Sequence, residues 1–176
     1  MSNITSGTKV LRNLFISVVL VTNISCDQIS KMIVREQIST DEEIYLIADR
    51  VTLTRVENTG AFLSLGSELP HLARTIILSF IPILAITLGL VYIFRERQLS
   101  RAVQLGYAFV IGGGIGNLVD RVWRGSVTDF VHIDFGLFET GIFNMADVSI
   151  MTGIALLLFN AVLRKMTAGN KVTSQG

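Results

Sequence analysis

Charge is scarce in this chain: Asp, Glu, Lys and Arg make up 16% of its 176 residues, against about 25% in a typical soluble domain. With half the residues hydrophobic and a mean hydropathy of +0.56, the composition points away from water and toward a membrane. The net charge is only +1, and no basic stripe lies outside the flanks of the apolar runs, so a nucleic-acid partner is excluded. The single cysteine, Cys26, can form no internal disulfide and lacks the companions of a metal site. It reads as a small apolar residue buried in the first helix. Histidine is limited to His71 and His132, and no His-Glu-x-x-His pattern occurs, so neither a metal nor a cofactor is expected. His132 near Asp129 and Asp134 is read as an exposed residue on a strand rather than a ligand.

What the chain does have is long apolar runs. A helix crossing a hydrocarbon core needs roughly 20 apolar residues. Four runs qualify, at about 11–32, 72–94, 102–120 and 142–163. They predict an all-α integral membrane protein of four transmembrane helices, a single polytopic domain over 1–176 with polar tails. Between the first two runs, about 33–71, Ile44 to Ile47 and Val51 to Val56 are rich in β-branched and aromatic residues, predicting a small β-rich region over the membrane surface. Val127 to Phe135 also reads as extended.

Basic residues favour the cytoplasmic side. Lys9 and Arg12, then Arg95, Arg97 and Arg101, then Arg164, Lys165 and Lys171 flank the runs so that both termini are expected inside. Ile33 to His71 and Arg121 to Gly141 are then outside. The start of the chain, with Lys9, Arg12, an apolar run and Ser25-Cys26, imitates a lipoprotein signal peptide. Asn23 fits that pattern poorly, and it leaves three further spans unexplained.

Ionisable residues inside a membrane cost several kcal/mol each, about 2.5–3.5 on insertion scales, and are functional suspects. Asp27 and Lys31 stand four apart on one helical face. Gly112, Gly113, Gly114 and Gly116 allow close approach of a neighbour. Asn117, Asp120 and Arg121 follow, with Asp120 read as an ionised brace for Arg121. Asn144 and Asp147 share a face at the start of the fourth run, where Asp147 has no base within a turn. Its candidate partner is Asp129. Two carboxyls in a site of low polarity share a proton, which suits peptide hydrolysis by activated water. Spacing alone leaves other pairings and simple ion bridges open. The Asp-Thr-Gly triplet of soluble aspartic proteases is absent, Asn58-Thr59-Gly60 being its amide counterpart. The adjacent Ser30 and Lys31 cannot face each other as a Ser-Lys pair.

Five segments in order carry a resemblance: Asp27-Gln28-Ile29-Ser30-Lys31, Asn58-Thr59-Gly60-Ala61-Phe62, Gly112 to Arg121, Val127-Thr128-Asp129-Phe130 and Phe143-Asn144-Met145-Ala146-Asp147. Together they resemble the lipoprotein signal peptidase (signal peptidase II) family over nearly the whole chain. The resemblance implies a membrane-embedded aspartyl endopeptidase with Asp129 and Asp147 as the catalytic pair. Asn58, Gly60, Asn117, Arg121 and Asn144 would bind or orient substrate, and Asp27, Lys31 and Asp120 would support the structure. Implied partners are prolipoproteins carrying diacylglycerol on the cysteine just after the cut, membrane lipids, and cyclic-peptide inhibitors such as globomycin. The implied location is the bacterial cytoplasmic (inner) membrane, with the site toward its extracytoplasmic face. Ser30 departs from a frequent threonine, and Ala61 stands alone where two alanines are common. The competing reading, a small transporter or membrane scaffold, would spread polar groups through the midplane. Here they gather at the outer ends of the runs.

Overall fold

The computed structural model describes residues 6–47, 50–60 and 68–173. Among the described residues, four helices are long and apolar enough to cross a membrane. The first is Ser6–Gln37, the second His71–Arg95, the third Arg101–Arg124 and the fourth Met145–Thr173. Their outer faces carry exposed Val, Leu, Ile and Phe, such as Leu14, Val18, Leu84, Leu88, Leu158 and Phe159. Such a surface suits lipid and is unsuited to water.

The third helix is the hub. Of its apolar window 44% is buried by neighbours, against 6% for the second helix, so the second lies at the periphery. Glycine makes the central position accessible. A Cβ on Gly116 would come within 2.5 Å of Asp27 Oδ2, and one on Gly153 of the fourth helix within 2.5 Å of the Gly106 carbonyl oxygen. Side chains at either place would push the helices apart. The third helix starts at Ser100, whose hydroxyl accepts from Val103 N at 3.4 Å, and ends at Gly125 with φ 76°. The second helix contains a π turn, Ile76–Phe80, just before Pro82. Proline lacks an N–H and crowds the carbonyl four residues earlier, which regular α-geometry cannot accommodate. At the far end of the bundle Arg12 donates to the Phe94 and Glu96 carbonyls at 2.6 and 2.9 Å, tying the first helix to the last turn of the second.

The expected β-rich region is a three-stranded antiparallel sheet, β1 (Glu43–Leu46), β2 (Val51–Asn58) and β3 (Val127–Ile133), in that spatial order. β1 and β2 pair with Ile44 opposite Leu53. Phe130 of β3 packs with Val34 and Ile38 from the end of the first helix, seating the sheet on the bundle. Between Leu53 and Val56 the β2–β3 register shifts, and Val56 then faces Asp129. A bulge of this kind twists the strand and re-aims the side chains beside it. Ala61 and Phe62, part of the Asn58 to Phe62 segment, lie outside the described residues.

Two expectations are corrected. Ile142 to Asn144 are not helical. Phe143 exchanges hydrogen bonds of 2.9 Å with Val131, so this segment runs along β3 and the fourth helix begins only at Met145. Cys26 is not buried but exposed on the first helix. Its neighbour Asp27, fully buried, takes the inward position, and successive helical residues point about 100° apart.

Candidate active site

The polar residues meet where the first, third and fourth helices reach the sheet. Lys31, fully buried, sets the arrangement. An ammonium has three donors, and Nζ meets three acceptors: Asp27 Oδ2 at 2.9 Å, Asn117 Oδ1 at 2.9 Å and Asp120 Oδ2 at 3.1 Å. Asp120 Oδ1 also lies 3.3 Å from Arg35 Nη2. Asp27 Oδ1 accepts from Ala146 N at 2.9 Å, so a first-helix carboxylate caps the N-terminus of the fourth helix. Gln28 bridges Asp27 Oδ2 and the Gly116 carbonyl, both at 3.1 Å.

Since Lys31 occupies Asn117 Oδ1, the Asn117 amide nitrogen turns to Asp147, donating to Oδ1 at 2.9 Å. Asp147 Oδ2 accepts from Asn144 N at 3.1 Å, while Asn144 Oδ1 accepts from Asp147 N at 3.1 Å. This reciprocal pair is a capping box. It explains the spacing of three between Asn144 and Asp147 and fixes both side chains. The free end of Asn144, Nδ2, donates to Asp129 Oδ1 at 2.6 Å and to Asn117 Oδ1 at 3.1 Å. One amide thus touches Asp129 and holds Asp147.

Asp129 Oδ2 accepts from Asn58 Nδ2 at 2.9 Å, and Asn58 Oδ1 accepts from Gly60 N at 2.9 Å. Asp129 is 4% exposed. Burial pushes its carboxyl up to about 6; the Asn58 and Asn144 hydrogen bonds oppose the rise, and the nearby Asp147 adds to it. Arg121 donates from Nη2 to the Gly60 carbonyl at 3.1 Å, and its buried Nε has no hydrogen-bond partner among the described residues. That unspent donor lies within electrostatic reach of both Asp129 and Asp147. Two cavities meet at Asp147, one of about 360 Å³ reaching Asn117, Arg121 and Pro82, the other of about 480 Å³ reaching Phe143, Val148 and Thr152.

The structure therefore brings Asn58, Gly60, Asn117, Arg121, Asp129, Asn144 and Asp147 into one site, with Asp27, Lys31 and Asp120 directly behind it. The expected brace is corrected in its partner. Asp120 is held by Lys31 and Arg35, while the adjacent Arg121 donates to the Gly60 carbonyl and lines the cavity beside Asp147. Arg35, a basic residue in the last turn of the first helix, is a partner of Asp120 that the sequence alone does not mark. His132 Nε2 lies 3.5 Å from Glu139, on the far part of β3.

Residues 18–163 match the family model for Signal peptidase (SPase) II. A lipoprotein signal peptidase of Treponema denticola is 39% identical over 137 residues, which are 74% of this chain and 79% of that protein. That of Streptococcus pneumoniae is 31% identical over 155 residues, 88% of this chain and 96% of the relative. A solved bacterial membrane enzyme structure superimposes with a TM-score of 0.75 at 23% identity, covering 93% of this chain and 92% of that one, and shares the fold.

Proposed function

The chain belongs to the signal peptidase II family of membrane peptidases, and on that premise we propose that it is an aspartyl endopeptidase that removes the signal peptide from diacylglyceryl-prolipoproteins, cutting just before the lipidated cysteine. The observation that carries this reading is the Asn144 side chain, which holds the buried Asp129 at 2.6 Å while sharing a capping box with Asp147.

Two carboxyls in one poorly solvated site cannot both ionise easily and share a proton. The ionised member takes a proton from a water molecule, whose oxygen adds to the scissile carbonyl carbon. The protonated member polarises that carbonyl oxygen, and a proton then passes to the departing amine. Nothing in this sequence calls for a metal or a covalent intermediate. Arg121 and Asn117 line the cavity beside Asp147 and suit the backbone of an extended peptide, while Asn58 orients Asp129. Asn117 also keeps Asp147 aimed at the two cavities.

Substrate selection follows from the membrane setting. The signal peptide enters from the lipid beside the second and fourth helices, while the acyl chains stay in the bilayer. Two such chains, at about 0.8 kcal/mol per buried CH₂, anchor the modified cysteine in the bilayer beside the site, so the protein need read only small residues near the cut. The dyad stands at the end of the bundle opposite Arg12, Arg97 and Arg101, and the charge rule supports reading the dyad's end as extracytoplasmic. Purified enzyme in proteoliposomes should release the signal peptide from a diacylglyceryl-prolipoprotein and leave its unlipidated precursor largely intact. Equal rates on both precursors would refute the lipid-dependent selection, and unchanged turnover by Asp129→Asn would remove that residue from catalysis.

A further inference from the structure

The end of the bundle remote from the dyad carries a second built feature. A cavity of about 290 Å³ lies between the start of the first helix, the connection after the second and the start of the third. Lys9, Arg12, Arg97 and Arg101 line it together with Leu11 and Phe15, and no carboxylate lines it among the described residues. From Arg12 to Asp27 the first helix rises about 22 Å, so this cavity is separate from the catalytic site.

Four cations from three segments converging on one hollow repel one another. The charge rule accounts for basic residues at this end of the helices, but scattered positions would serve it equally. Arg164 and Lys165 are scattered in this way and do not line the cavity. The convergence is also held in place. Arg12 is fixed by its bonds to the Phe94 and Glu96 carbonyls. Glu96, the nearest acid in sequence, turns its carboxylate to Gln98 N at 3.0 Å within its own connection. Gln104, only 6% exposed, lines the cavity and donates to the Leu99 carbonyl at 2.8 Å, bracing the same connection. The N-terminus of the third helix adds its partial positive charge. On the first helix, Leu11, Arg12 and Phe15 share one face, and Leu11 and Phe15 are exposed at 68% and 38%. An anion seated among the cations would thus have an apolar wall running from it along the helix.

We propose that this cavity binds the phosphodiester headgroup of an anionic phospholipid, with the lipid's acyl chains lying along Leu11 and Phe15. Arg97 and Arg101, both exposed, supply charge-assisted donors to the phosphate, Lys9 adds a third, and Arg12 sets the geometry. The occupied site fastens the first helix to the connection between the second and third, and so stabilises the bundle at the end away from the sheet.

The test uses the full-length enzyme in neutral detergent, read by thermal unfolding and by native mass spectrometry, so it does not depend on catalysis. Phosphatidylglycerol should raise the midpoint by about 2–4 °C, and phosphatidylcholine at the same mole fraction should not. The Arg97→Gln/Arg101→Gln variant should lose that increment, while Arg164→Gln/Lys165→Gln should keep it. If the first double variant fails to fold, Arg101→Gln alone should reduce the number of phosphatidylglycerol molecules retained in native mass spectra. Equal shifts from both lipids, or equal loss in both double variants, would overturn the proposal in favour of diffuse attraction. The same rise with inorganic phosphate alone would show a free-anion site and overturn the lipid assignment.

Discussion

Two groups of buried carboxylates lie side by side in this molecule, and their partners differ in kind. Asp27 and Asp120 meet cations, Lys31 and Arg35, at 2.9–3.3 Å. Asp129 and Asp147 meet amides, from Asn58, Asn117 and Asn144 and the backbone. A cation neutralises a carboxylate and fixes its charge, whereas an amide orients it without settling its protonation. The first group is consequently suited to holding helices together and the second to moving a proton. Asn117 joins them, accepting from Lys31 on one side and donating to Asp147 on the other.

The comparison is tested most severely at the amide-held pair. Asp147→Asn or Asp129→Asn should lower turnover of lipidated precursor by about 10³-fold or more, with the protein still folded in the membrane. A modest loss in either would erase the distinction between the groups. Lys31→Met attacks the other side. It strands Asp27 and Asp120 in a buried site, and breaking such a pair costs about 3–5 kcal/mol. Thermal unfolding should show a large drop or the yield of folded protein should collapse; an unchanged midpoint would mean that the cation-held group does not hold the bundle. A smaller effect is expected from Asp120→Asn, which leaves Lys31 with Asp27 and Asn117. Its melting temperature should fall while turnover per folded molecule stays within about tenfold, the milder outcome of losing one member of a network. Turnover falling as far as in Asp147→Asn would bring Asp120 into the catalytic pair.

The subtlest measurement uses pH. The Asp129 carboxyl, raised to about 6 chiefly by burial, binds its proton more tightly folded than unfolded. Its contribution to stability is therefore fully present below the unfolded value and is lost as pH rises through about 6. Asp129→Asn should accordingly raise the melting temperature at pH 8 more than at pH 5. For the wild type, kcat/KM should decline as pH climbs through the same region, because the shared proton leaves the pair. An equal stability gain at both pH values would show that Asp129 is not held against ionisation.

Much of this arrangement was legible in the sequence because hydrocarbon makes polar residues conspicuous. In the apolar runs Asp27, Lys31, Asn117, Asp120 and Asp147 stand out, whether as ion pairs that satisfy one another or as working groups. Which of them would touch was less legible. Asp120 and Arg121 are adjacent in the chain, yet helical geometry sends them to different partners. The start of the fourth helix was misplaced because Ile142 and Phe143 are apolar enough to extend the run, and only the pairing of Phe143 with Val131 takes them out of it. Cys26 was read inward on its residue type, although Asp27 beside it claims the buried face. The capping box was present as Asn144 and Asp147 three apart, but the spacing alone did not tell that Asn144 would also reach Asp129.

The bond from Asp27 to the N-terminus of the fourth helix has a consequence for biogenesis. The ribosome delivers Asp27 early and Ala146 late, with most of the chain between them. Until the final span enters the bilayer, Asp129 lacks Asn144 and Asn117 lacks Asp147, so the two carboxyls proposed to share a proton are not yet side by side. On the reading proposed above, a chain assembled in this order becomes competent only when its last helix locks onto its first.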